Sequence, residues 1–75
     1  MPKLNPISPK ILEKILMNLG FQHIRTHGSH KFFFNDQTKQ TIVIPFHGNE
    51  EISVWLLKKI LRDIELSVED FENLR

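Results

Sequence analysis

The chain has 75 residues, 40% of them hydrophobic and 25% charged, with a net charge of +1 and no cysteine. That length allows a single domain spanning residues 1–75, and the missing thiols exclude disulfide staples and thiolate metal sites. No apolar run approaches the roughly 18 residues that cross a bilayer. Residues 1–7 hold two prolines and no apolar h-region. They read as a lead-in without a secretory signal, and a soluble cytoplasmic protein is the expectation. Ser8-Pro9 predicts a helix start, with Ser8 as N-cap and Pro9 at the first helical position, where no N–H is needed. Ile11, Leu12, Ile15, Leu16 and Leu19 then form an apolar stripe, with Lys10, Glu13, Lys14 and Asn18 outside it. Gly20 closes the helix.

Phe21 to His27 predicts a first strand, with Phe21, His23 and Arg25 on one side and Gln22, Ile24 and Thr26 on the other. Gly28-Ser29 is a turn. The second strand, His30 to Asn35, places His30, Phe32 and Phe34 on one face and Lys31 and Phe33 on the other. Only one face can pack on helices, so an aromatic is left needing cover, which hints at a partner surface. Asn35 to Lys39 is a polar loop. The β-branched run Thr41-Ile42-Val43-Ile44 is a third strand, ended by Pro45.

Ser53 caps a second helix in which Val54, Leu57, Ile60, Leu61 and Ile64 face inward and Lys58, Lys59 and Arg62 face outward. Residues 66–75 add a short last helix capped by Ser67, with Val68, Phe71 and Leu74 as its inner contacts. The order α-β-β-β-α-α predicts an α+β fold, a three-stranded antiparallel meander with helices on one face. Charge is uneven along it: residues 1–62 carry nine Lys/Arg against four Asp/Glu, and residues 63–75 one against five. A basic body suits a polyanion, because its cations release counterions from phosphates. An ordinary solvated surface has the same composition.

Two histidines stand out, His30 after Gly28-Ser29 and His47 in Pro45-Phe46-His47-Gly48. General acid/base chemistry needs one group to take a proton and another to give one, and no metal. Imidazole, with an unperturbed pKa of about 6.5, can take either proton task near neutral pH. A turn glycine lets a phosphate approach the backbone. His30 reads either as such a group or as a strand-start residue bonded to backbone. His47 reads as a second acid/base, beside His30 if the hairpin register sets both at one sheet end, or as part of a structural turn. His23 and His27 read as surface residues. Lacking a His-x-x-x-His or His/carboxylate helix spacing, the chain is expected to hold no metal or other cofactor. Lys31, Arg25 and Lys10 are candidate phosphate contacts, as are Lys58, Lys59 and Arg62.

Gly20-Phe21, Gly28-Ser29-His30, the run from Val43 to Ile52, Leu57-x-x-Ile60-Leu61 and Leu66-Ser67-x-Glu69-x-Phe71 follow one another at the spacing of the HicA toxins. From Ser8 to Phe71 the chain resembles that family, also called YcfA-like mRNA interferases. The resemblance implies a fold like the double-stranded-RNA-binding domain, endoribonuclease activity on mRNA, and neutralisation by a HicB-type antitoxin that covers His30 and the open sheet face. It assigns the catalytic role to His30, the histidine of the Gly-Ser-His motif, with Gly28, Ser29, Lys31, Lys58, Lys59 and Arg62 expected near RNA. The chain departs from the family at Trp55-Leu56-Leu57, where Gly-Thr-Leu is frequent, at Asp63-Ile64-Glu65, where a small residue and glycine are usual, and at Phe33, where Tyr is common. Two other functions fit the bare residues: a non-catalytic RNA-binding module and a pure interaction domain using the open sheet face.

Overall fold

A computed structural model describes residues 3–75; Met1 and Pro2, the start of the expected lead-in, lie outside the described residues. Helix α1 (Pro9–Asn18) begins as its sequence dictates, with Ser8 extended at the N-cap and its hydroxyl accepting the Ile11 N–H at 3.2 Å. It stops at Leu19, after which Gly20 turns the chain at φ +101°, a left-handed value that glycine adopts at little steric cost.

Strands β1 (Phe21–His27), β2 (His30–Asn35) and β3 (Gln40–Pro45) form an antiparallel sheet in that order, with β2 central. Gly28-Ser29 is the whole loop between β1 and β2. Of its two residues only Gly28 has a positive φ, +61°, which is the type II′ requirement and matches the twist of the strands it joins. Between His23 and Arg25 the β1–β2 ladder slips by one residue and Ile24 bulges out.

That bulge corrects the facing expected of Arg25 in β1. Phe21 and His23 stay on the side of their partners Asn35 and Phe33, but Arg25 crosses to the other face, opposite Phe32. Its guanidinium lies 4.3 Å from the Phe32 ring centroid, within cation–π range.

Phe21, Phe33, Ile42 and Ile44 line the covered face of the sheet. They join Leu12, Ile15 and Leu16 of α1, Leu57, Ile60 and Leu61 of α2 (Val54–Asp63), and Phe71 of α3 (Val68–Leu74) in one core. A fully buried side chain of this size contributes about 1.5–3 kcal/mol. Ser53 and Ser67 cap α2 and α3 by accepting the Leu56 and Asp70 N–H groups. Ile11 and Leu74, expected inside, are about half exposed at 50% and 46%. Ile11 falls at the edge of the arc centred on Leu12, Ile15 and Leu16, and Leu74 ends a helix that runs past the core.

The lead-in is more than a tail. Leu4 and Ile7 are buried, and Ile7 exchanges two backbone hydrogen bonds with Ile52, at 3.2 and 2.7 Å. The Arg75 guanidinium donates to the carbonyls of Asn5 and Pro6, tying the two ends of the described chain together. At one end of the sheet the Asn35 side chain donates to the Leu19 carbonyl and Gln40 donates to the Asp63 carbonyl. Both helices therefore end there and begin at the opposite end, where the β1–β2 turn also lies.

Candidate active site

His30 opens β2 directly after the II′ turn and is exposed on the sheet face turned away from the helices. Its position follows from period-two alternation: Phe33 and Asn35 are buried on the helix side, so His30, Phe32 and Phe34 project from the open side. Pro45 is its Cα partner on β3. Beyond Pro45 the Phe46 N–H donates to the Ser29 carbonyl at 2.6 Å, which continues the pairing past the proline and folds the chain back toward the turn. The His30 and His47 rings consequently meet edge to face, with centroids 6.0 Å apart and planes at 86°. Both are exposed.

His27 is the Cα partner of His30 on β1. Three histidines thus occupy one end of the open face, with Arg25 one row further along it, opposite Phe32. Sequence reasoning set His27 aside, although the signal was present: a two-residue turn makes the residues flanking it a cross-strand pair. His23 is elsewhere, its Nε2 2.8 Å from Thr26 Oγ1 and its ring 5.5 Å from Phe33. Among the described residues, no three His, Asp or Glu side chains gather into a group that could hold a metal ion.

The other residues expected near RNA fall in three places. Gly28 and Ser29 form the turn itself, and a Cβ added at Gly28 would meet nothing within 4 Å, so the space beside it is open. Lys31 follows His30 in sequence but projects to the helix side. There its Nζ sits 4.1 Å above the Phe46 ring and 3.9 Å from Glu13 Oε2, in a groove of about 440 Å³ that Ser8, Lys10 and Asn49 also line. Lys58, Lys59 and Arg62 are exposed on the outer side of α2, separated from His30 by the helix layer. The geometry therefore unites His30 with His47, the turn, His27 and Arg25, and separates it from Lys31 and the α2 cations.

The family described as the HicA toxin of bacterial toxin-antitoxin systems matches residues 9–66, from the first residue of α1 to the residues just beyond α2. No curated protein matches the chain. Since the matched stretch takes in both main helices, all three strands, His30 and His47, the chain belongs to the HicA toxin family.

Proposed function

We propose that the chain is an endoribonuclease, an mRNA interferase that cleaves RNA by histidine acid/base catalysis without a metal and is silenced by a HicB-type antitoxin. The observation that carries this reading is the exposed His30–His47 pair, its rings 6.0 Å apart at the open end of the sheet. One phosphodiester presents its attacking 2′-oxygen and its leaving 5′-oxygen on either side of a single phosphorus, and two imidazoles at this spacing can serve both. One ring takes the 2′-OH proton as the 2′-oxygen bonds to phosphorus. The P–O5′ bond breaks, and the other ring gives a proton to the departing oxygen. The products are a 2′,3′-cyclic phosphate and a 5′-hydroxyl, with no net change in protons.

Arg25, on the same face, is the cation best sited for the charge that develops on the phosphoryl oxygens. Phe34, on the same face, offers a ring on which a base can stack. The α-β-β-β-α order is also that of the double-stranded-RNA-binding fold, which supports RNA as the substrate. The antitoxin's place is the open sheet face, where it would exclude RNA from His30 by occupancy.

The test is cleavage of RNA in excess chelator. The wild-type chain is expected to release cyclic-phosphate ends, and His30→Ala to lose about 10²–10⁴-fold in rate while still binding RNA. Equal binding by both proteins with cleavage by neither would favour the non-catalytic RNA-binding module.

A further inference from the structure

Trp55 is the one tryptophan of the chain and is 75% exposed on the outer side of α2. A large aromatic so placed contributes little to the core. Trp55, Lys58, Lys59 and Arg62 stand at i, i+3, i+4 and i+7, so they share one helical face. Together they line a shallow groove of about 420 Å³. Among the described residues only Lys59 of the three cations has a carboxylate partner, Asp63 Oδ2 at 3.1 Å on the same helix. Lys58 and Arg62 have none within 4 Å.

From this juxtaposition we infer that the outer face of α2 is a second RNA contact, at which Trp55 stacks on an unpaired base while Lys58, Lys59 and Arg62 hold the flanking phosphates. The inference rests on the nuclease reading for its ligand and adds a site on the opposite side of the molecule from His30. An indole flanked by cations is the combination that single-stranded nucleic acid selects, since every base has a π-face and every linkage a negative charge. A protein partner docking on the same indole would have to desolvate three adjacent cations. The helix layer between this face and His30 makes the two contacts additive, so that the α2 face holds a transcript whose scissile bond lies elsewhere along the strand.

Because Trp55 is the sole indole, its emission reports on this face alone. His30→Ala protein, which leaves the RNA intact, is titrated with a single-stranded RNA oligonucleotide. Emission is expected to quench on binding. Trp55→Ala should weaken binding about tenfold or more, with its melting temperature unchanged because the side chain is exposed. Lys58→Ala/Lys59→Ala/Arg62→Ala should flatten the dependence of log affinity on log salt by about 2, at roughly 0.7 per phosphate on a single strand. RNA binding without quench, with unchanged affinity in Trp55→Ala, overturns the inference and leaves the nuclease reading standing. Quench only on adding an antitoxin protein overturns it in favour of a protein-docking face. RNA neither bound nor cleaved by the wild-type chain overturns both.

Discussion

At the scale of single residues, His30 and His47 are to be told apart by what each does to the leaving group. Both are exposed and their rings approach edge to face, so either can carry a proton to or from a phosphodiester without rearrangement. On RNA, His30→Ala and His47→Ala should each be slowed, by about 10²–10⁴-fold if both act as acid/base groups. An activated ester, such as a nucleoside 3′-(p-nitrophenyl phosphate), releases an anion that needs no proton. The variant lacking the acid should regain most of its rate on that substrate, and the variant lacking the base should not. An unchanged rate on RNA for His47→Ala would reduce Pro45-Phe46-His47-Gly48 to a turn. His30 and His47 were both legible in the sequence because each adjoins a glycine in a recognisable run. That they meet was legible only on the condition that the hairpin register sets both at one sheet end, and the structure meets that condition through the Phe46 N–H, which pairs with Ser29 beyond a proline that ought to end the strand.

Among the elements, those whose causes are local follow directly from their residues. Ser8, Ser53 and Ser67 each cap a helix by accepting the N–H three residues on, and Gly28 sets the turn by its own φ. The Ile24 bulge is different in kind. Nothing within Phe21–His27 marks one residue as surplus, because surplus is defined against β2, and so the facing of Arg25 was misread although its residue type had been singled out. Asn35 is a second case: a polar residue that reads as the start of a loop is 97% buried, at 3% relative exposure. Its Nδ2 donates to the Leu19 carbonyl, and its Oδ1 accepts the N–H groups of Gln37 and Thr38. It thereby locks the end of α1 to the β2–β3 loop. Asn35→Ala strands one carbonyl and two N–H groups in a part-buried site and should cost about 1–3 kcal/mol. In a domain of this size that lowers the melting temperature by about 5 °C or more. Asn35→Asp keeps the two accepted bonds and should recover part of the loss; a melting temperature within a degree of wild type for Asn35→Ala would show that water replaces the lock.

The whole molecule is a thin slab, 36 × 30 × 17 Å between its Cα extremes, in which one layer of helices covers one face of one sheet. Such a core has no redundancy. The family match runs over residues 9–66, yet Leu4, Ile7 and Phe71 all lie outside it and are buried in the same cluster as Phe33 and Leu57. Ile7 also pairs with Ile52 in the loop that leads from His47 to α2, so the lead-in braces one wall of the candidate site. None of this was visible in Lys3-Leu4-Asn5-Pro6-Ile7, because a segment that packs through two isolated residues shows no period to read. A domain of this length has roughly 4–11 kcal/mol of stability in total. Truncating one buried aromatic such as Phe71 to Ala costs about 3–5 kcal/mol, and each large aliphatic about 2–5. A chain cut to residues 9–66 loses all three side chains together with the Arg75 bonds to Asn5 and Pro6, a loss of about 7–15 kcal/mol that matches or outweighs the whole stability of the domain. It should show no cooperative thermal transition and no RNA cleavage, although every histidine is retained. Phe71→Leu in the full chain, which keeps most of the buried volume, should melt cooperatively and still cleave. A cooperative melt of the 9–66 fragment near that of the full chain would show that the matched stretch closes its own core and that the ends are accessory.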